Sequence, residues 1–240
     1  MSEAIKGVVL AGGTGSRLFP LTKVTNKHLL PVGRKPMIYY PVEKLIEAGI
    51  GEILIVTGTE HLGDVVGLLG SGKDFGCRFT YKVQDEAGGI AQALGLAENF
   101  CAGSRLCVIL GDNVFSDSIA GAAVRFADAP PRSAHLFLKE VEDPRRYGVA
   151  EIEGGRIVGI VEKPSQPQSR LAVAGIYMYG PEVFEIIHGL RRSPRGELEI
   201  SEVNQDYVRR NALSYDVLGG WWTDAGTFDS LVRANQLVGS

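Results

Sequence analysis

Cysteine and histidine are scarce in this 240-residue chain, and neither has the spacing of a metal site. Cys77, Cys101 and Cys107 are an odd number with no C-x-x-C pair, and Cys107 falls in an apolar, strand-like run. Buried reduced thiols are therefore expected, not disulfides or zinc ligands. His28, His61, His135 and His188 are scattered, which leaves histidine-based catalysis without support. A long apolar span, a secretory n-region and a twin-arginine start are all missing, so a cytoplasmic protein with no membrane partner is expected. Net positive charge is missing too: 25 Lys and Arg against 28 Asp and Glu give a formal charge of −3, which argues against a nucleic-acid surface. Any phosphate affinity must then come from local placement of cations and backbone amides. With no internal repeat and no low-complexity linker, one domain over 1–240 is expected, its nucleotide-binding part at about 1–115 and the remainder at about 116–240.

What is present is concentrated near the start. Ile5-Lys6-Gly7-Val8-Val9-Leu10-Ala11 reads as a buried strand, and it empties into Gly12-Gly13-Thr14-Gly15-Ser16-Arg17-Leu18-Phe19-Pro20, a loop with three glycines, two hydroxyls and one arginine. Glycines let backbone N–H groups approach phosphate oxygens, and Arg17 adds a cationic fork that matches phosphate geometry. Two familiar phosphate loops do not fit. Leu18 stands where a dinucleotide fingerprint needs its third glycine, and no acid follows at the ribose-binding distance. The Lys-Ser/Thr of a P-loop is absent as well, and its nearest imitation, Gly67 to Asp74, ends in Asp after a helical pattern.

Further along, Asn26-Lys27-His28-Leu29-Leu30-Pro31 sets a cation close to the loop in sequence. A helix is expected to begin around Met37 to Tyr40, with Pro41 in its first turn and Gly49 at its end. A strand over Glu52 to Thr57, a helix through Leu69 and a strand over Arg78 to Val83 follow. Gln84 then leads past Gly88 and Gly89 into an Ala-rich helical run, Ile90 to Asn99, where its side-chain amide can read a nucleobase edge. Leu106 to Leu110 is the fourth strong strand, and Gly111-Asp112-Asn113 ends it with an acid where open α/β sheets hold ligands and metals. The second half is richer in strands: His135 to Val141, Val149 to Ile152, Arg156 to Glu162, Ala172 to Tyr179 and Ser214 to Leu218. Helical patterns run over Pro181 to His188, over Glu199 to Arg210 with Ile200, Val203 and Tyr207 on one face, and after Thr227 with Phe228, Leu231 and Val232. The βα alternation predicts an α/β fold, a Rossmann-like doubly wound and mostly parallel mixed sheet, with the later strands as an extension forming one wall of a cleft.

Three more segments carry polar chemistry: Glu162-Lys163-Pro164, Ser193-Pro194-Arg195-Gly196-Glu197-Leu198-Glu199, and Trp221-Trp222-Thr223-Asp224-Ala225-Gly226-Thr227. Together with the glycine loop and Gly111-Asp112-Asn113 they resemble, in order and over nearly the whole chain, the motif set of the sugar nucleotidyltransferases. Within that family the resemblance is greatest to bacterial glucose-1-phosphate thymidylyltransferases in their short form. It implies transfer of a nucleotidyl group from a triphosphate, dTTP, to glucose 1-phosphate with release of pyrophosphate, in the presence of Mg2+, by a homo-oligomer (dimer or tetramer). By the same resemblance Leu10, Gly12, Gly13, Thr14, Gly15, Ser16 and Arg17 bind the triphosphate, with Arg17 and Lys27 on the leaving pyrophosphate. Gln84 and Gly89 read the base, and Asp112 and Asp224 hold the metal. Lys163 and Arg195 hold the sugar phosphate, while Asn113, Tyr147, Gly148, Glu162 and Val173 line the sugar pocket.

These residue types suit the chemistry. A sugar phosphate is already a competent oxygen nucleophile, so the site needs positioning and charge neutralisation rather than a base, which accounts for the missing histidine. His28 stands where many longer members have Gln, and Ala174 where the family often has Thr, so transfer from another triphosphate to another sugar is the competing expectation. The C-terminal region that helps build a regulatory nucleotide site in long forms has no counterpart in this sequence, which leaves feedback control through such a site an open question. A non-catalytic nucleotide-sugar sensor would be expected to lose Arg17, Lys163 or an acid, and this sequence keeps all of them.

Overall fold

Successive strand side chains point to opposite faces, so a strand that is apolar throughout must be covered on both. The computed structural model, which describes residues 5–239, shows how that is done. The first half runs β1 (Lys6–Ala11), a two-residue pair β2 (Pro31–Val32) and β3 (Lys35–Pro36), α1 (Tyr39–Glu47), β4 (Glu52–Gly58), α2 (Leu62–Leu69), β5 (Arg78–Gln84), α3 (Ile90–Gly95), α4 (Glu98–Cys101) and β6 (Leu106–Leu110). The second runs β7 (Asn113–Phe115), α5 (Ala120–Ala127), β8 (Ala134–Glu140), β9 (Gly148–Glu153), β10 (Arg156–Glu162), β11 (Leu171–Tyr179), α6 (Val183–Gly189), α7 (Ile200–Arg209), β12 (Leu213–Val217), β13 (Trp222–Asp224) and α8 (Phe228–Gly239).

Nine strands form one sheet, ordered β10-β9-β11-β6-β1-β4-β5, with β8 paired to β11 and β12 to β8. β6, β1, β4 and β5 are parallel, and β11 enters antiparallel beside β6. One face buries Val8, Leu10, Leu54, Val56, Leu106 and Val108 with residues of α3, α6 and α7. The other buries Val9, Ala11, Ile53, Ile55, Cys107 and Ile109 with residues of α1, α2 and α5. Burial pushes the thiols of Cys101 and Cys107 up to about 12, so both stay protonated and inert. A third cluster, including Leu18, Leu30, Val32, Met37, Tyr40, Val114, Ala225 and Ala234, lies beneath α8.

This topology fixes where the site must be. β1 has β4 on one side and β6 on the other, so the chain crosses over in opposite senses about β1 and leaves a crevice beyond the carboxyl ends of β1 and β6. The glycine loop follows β1 and Gly111-Asp112 follows β6, so both open onto that crevice.

The expected elements recur with small shifts; one expected helix is divided, and two features were not foreseen. The run Ile90 to Asn99 is two helices: around Leu96 and Ala97 the bonds tighten to the i→i+3 pattern before α4 begins. β7 and its pairing with β13 were not foreseen; three residues each are too short for periodicity to show. Thr227 does cap α8, with Ser230 reciprocating, but Phe228 and Val232 face solvent while Ser230 and Ala234 are buried. Among the described residues no helix is long and apolar enough to cross a membrane.

Gly7 shows how closely β1 is packed. A Cβ there would stand 2.9 Å from Leu45 Cδ1, 3.1 Å from Ile53 Cγ1 and 3.2 Å from Ile50 Cγ2. Gly7→Ala alone should overpack the site and cost about 1 to 3 kcal/mol, and Leu45→Ala alone should leave a cavity costing about 2 to 5 kcal/mol. The double variant should lose less than the two combined, because the added methyl occupies part of the vacated space. Urea unfolding of the four proteins measures this, and strict additivity would contradict the packing described.

Candidate active site

The loop after β1 owes its shape to two glycines at positive φ, Gly13 at 92° and Gly15 at 62°. Gly12 lies against Gln84 for a different reason: a Cβ there would meet the Gln84 side-chain oxygen and force that side chain to turn aside. Ser16–Leu18 closes as a short 3-10 turn, and Leu18 is fully buried in the cluster under α8. Leucine at this position thus anchors the turn, and the anchor leaves Arg17 beside the cleft. Leu10, Gly12, Gly13 and Arg17 line that cleft, whereas Thr14, Gly15 and Ser16 do not. Gly15 packs its backbone on Thr22, whose hydroxyl donates to the Gly15 carbonyl at 2.9 Å.

The acids come together through the β7–β13 ribbon. Asp224 pairs with Asn113 in that register, and the Ala225 N–H donates to the Asp112 carbonyl at 2.8 Å, so positions 112 and 224 are locked side by side. Asn113 is buried, and its carbonyl oxygen accepts from Trp222 Nε1 at 2.7 Å and from the Gly175 N–H at 3.1 Å, tying the ribbon to β11. Its amide donates to Asp112 Oδ1 at 3.0 Å. Sequence reasoning gave Asn113 to the sugar pocket; it lines the cleft, but its oxygen serves the scaffold.

A Cβ on Gly226 would stand 3.4 Å from Asp112 Oδ2, 3.5 Å from Asp224 Oδ2 and 3.6 Å from Arg17 Nη2. The two carboxylates therefore face one small shared space, with a guanidinium at its edge. Two hard oxygen ligands in that setting suit a divalent cation such as magnesium, which takes its other ligands from phosphate and water. No cluster of three or more His, Cys, Asp or Glu suited to a metal occurs among the described residues, so a cation here would take its remaining ligands from such outside oxygens. Burial alone would raise the Asp112 carboxyl, but Lys27, with Nζ 2.6 Å from Oδ2, holds it well below the usual carboxylate range. Burial and the neighbouring Asp112 raise Asp224 instead, against Arg146 at 3.0 Å and the Tyr147 hydroxyl at 2.9 Å. His28, beside Lys27 and fully enclosed, is pushed down to about 3 by burial and then by that lysine, so its ring is neutral. Lys27 was expected to meet phosphate; here it meets Asp112.

Across the cleft, Lys163 directly follows β10 at φ 43°, and its N–H donates to the Tyr147 carbonyl at 3.0 Å. A left-handed lysine is uncommon, and the bond to Tyr147 helps to hold it there. Its Nζ lies 3.2 Å from Glu162 Oε1, and Arg195 lies 3.5 Å from the same oxygen while also meeting Glu197 and Glu199. Gly89, at φ 99°, packs against the Leu198 backbone, and mutual N–H···O bonds between 88–91 and Leu198 bring the Arg195 loop to the start of α3. Gln84 is the last residue of β5, not beyond it, and its amide donates to Gln92 Oε1 at 2.6 Å.

One cleft of about 350 Å³ thus gathers Arg17, Lys27, Gln84, Gly89, Asp112, Asn113, Tyr147, Gly148, Glu162, Lys163, Val173, Arg195 and Asp224. Sequence reasoning missed Arg146, Tyr177, Ser201 and Asn204, which also line it. Arg146 directly precedes Tyr147, and that adjacency was its only signal. Ser201 and Asn204 stand three apart on α7, and their Oγ and Nδ2 atoms are buried with no partner among the described residues. Small polar residues on an apolar helix face were the signal there.

Comparison with known proteins points to one family. A nucleotidyl transferase family model matches residues 6–240. A glucose-1-phosphate thymidylyltransferase of Neisseria meningitidis is 43% identical over 98% of this chain and 82% of its own length. A crystal structure from Bacillus anthracis, assigned as a glucose-1-phosphate thymidylyltransferase and holding sucrose, superposes with TM-score 0.94 at 57% identity, covering 98% of this chain and 95% of that one. A UDP-glucose pyrophosphorylase in complex with UDP-glucose superposes with TM-score 0.83 at 26% identity, covering 97% of each. Matched along almost its entire length by sequence and by fold, this chain belongs to the nucleotidyl transferase family.

Proposed function

We propose that this chain transfers the thymidylyl group of dTTP to glucose 1-phosphate, giving dTDP-glucose and pyrophosphate. The observation that carries the reading is the convergence, in one cleft, of two separate cation pairs, Arg17 with Lys27 and Lys163 with Arg195, about the acids Asp112 and Asp224. Two anionic reactants need such an arrangement, one set of cations for each. The kinship with glucose-1-phosphate thymidylyltransferases supports the choice of base and sugar.

The nucleotide occupies the side built by 1–115. Backbone groups at Leu10, Gly12 and Gly13 cradle the triphosphate, Gln84 and Gly89 read the base, and Arg17 and Lys27 take up charge on the departing pyrophosphate. The sugar 1-phosphate occupies the side built largely by 116–240. Lys163 and Arg195 hold its phosphate and offset repulsion between the reactants, while Tyr147, Gly148, Glu162 and Val173 face the hexose. Thr14, Gly15 and Ser16 act through loop shape, because they lie outside the cleft lining. Asp112 and Asp224 would hold the magnesium ion, which when bound neutralises charge on the α-phosphate as the bond to the sugar phosphate forms. His28, neutral and enclosed, transfers no proton.

Pyrophosphate release measured for dTTP, UTP, CTP and GTP against a set of sugar 1-phosphates tests the proposal. The highest kcat/KM should belong to dTTP with glucose 1-phosphate. A clear preference for another pair would overturn the assignment of substrates and leave the reaction type standing.

Lys163→Ala should leave binding of the triphosphate nearly intact and cost about 2 to 4 kcal/mol in kcat/KM, the loss of a charge contact to the nucleophile's phosphate. Titration of dTTP into the variant checks this; abolished binding by a folded variant would place Lys163 elsewhere. Asp112→Asn and Asp224→Asn should each nearly abolish turnover, and the double variant should lose little more, because both carboxylates serve one ion. Modest, additive losses would refute that shared role.

A further inference from the structure

All four oxygens of the two site carboxylates already accept from donors of this chain. Asp112 Oδ1 accepts from Asn113 Nδ2 at 3.0 Å and Oδ2 from Lys27 Nζ at 2.6 Å. Asp224 Oδ1 accepts from the Tyr147 hydroxyl at 2.9 Å and Oδ2 from Arg146 Nη2 at 3.0 Å. The two Oδ2 atoms are the ones that face the shared space beside Gly226, and each is held by a cation, not by a neutral donor. The geometry points to Arg146 as an exchangeable counter-ion: it neutralises Asp224 until a triphosphate offers it better oxygens, and its departure opens Asp224 Oδ2 to the divalent ion. The inference rests on the reading of Asp112 and Asp224 as metal ligands and goes beyond it, because it gives a function to a residue which that reading leaves without one.

The physical case is one of competing pairings. Two carboxylates side by side in a mostly buried cleft repel, and the cations beside them lower that cost. A divalent ion arriving alone must displace two such cations into water, which weakens its binding. A polyphosphate arriving with it supplies anionic oxygens for the displaced groups, and guanidinium matches phosphate geometry well. Arg146 is suited to move, since its side chain is 41% exposed while that of Asp224 is 16% exposed. Its ring neighbour Tyr147 stays on Asp224 Oδ1, so the carboxylate keeps its orientation through the exchange. Metal and triphosphate then bind with positive coupling, as linkage requires of two ligands that favour the same arrangement.

The test uses Mn2+ as probe, followed by the resonance signal of the free ion, on the whole protein without nucleotide, together with dTTP binding measured in the presence of chelator. Arg146→Gln should bind Mn2+ roughly three- to tenfold tighter than the unaltered protein, and metal-free dTTP severalfold more weakly. A merely structural role would weaken both. Arg145→Gln, which removes an equal charge from the neighbouring residue paired with Asp143, should change neither. Arg146→Lys should stay near the unaltered values, and matching circular dichroism establishes that the variants fold. Unchanged or weaker Mn2+ binding in Arg146→Gln, or an equal gain in Arg145→Gln, would overturn the exchange. Undiminished Mn2+ binding in Asp112→Asn and Asp224→Asn would instead refute the metal reading beneath it.

Discussion

Two carboxylates that must lie side by side are the constraint on which this structure is arranged. Like charges at short range in a mostly buried cleft repel, and only a rigid frame with compensating cations can keep them there. The frame comes from far apart in sequence. Asp112 ends up on a parallel strand's carboxyl end, Asp224 on a short ribbon strand, and the Ala225 N–H to Asp112 carbonyl bond joins them. Asn113 then spends its side-chain oxygen on Trp222 and Gly175, so the ribbon cannot slide along β11. Compensation comes from Lys27 and Arg146, and the opposite pKa shifts of the two acids record how unequally it is shared.

The main sheet was legible because its signal is strong and local. Runs such as Ile53-Leu54-Ile55-Val56 and Leu106-Cys107-Val108-Ile109-Leu110 are apolar throughout, which only strands covered on both faces require. The parallel order followed from the alternation of such runs with helical patterns. What stayed hidden depends on contacts between distant residues. Three-residue strands carry no period, so the β7–β13 ribbon left no trace in the sequence. The buried face of α8 could not be read from its apolar residues, because Phe228 and Val232 face solvent and it is the small Ser230 and Ala234 that let the helix sit close on its cluster.

The candidate site shows the same division. Glycines at 13, 15 and 89 and the acids at 112 and 224 were legible because few residue types can do what those positions need. Leu18 is the instructive failure of a motif. It excludes the dinucleotide fingerprint on paper, and in the fold it is the buried anchor that holds Arg17 at the cleft. Arg146 was invisible for the opposite reason: an arginine near a turn is ordinary, and only its partner makes it informative.

Placing a cation on each acid also explains how a protein with a formal charge of −3 can bind two anions at once. Arg17, Lys27, Arg146, Lys163 and Arg195 are concentrated in a single cleft, yet four of them rest against carboxylates of the same chain. Arg17 stands apart: it lies at the edge of the shared space and no hydrogen bond of its side chain is seen among the described residues. A cation held by a carboxylate is kept ordered and in place, and it remains available to a stronger acceptor. Preorganisation of this kind lowers the cost of assembling charge around a polyphosphate, because the groups have only to change partners and not to be gathered from solvent. The acids of the cleft thus have a use besides the metal binding and sugar recognition proposed for them: they store its cations in position.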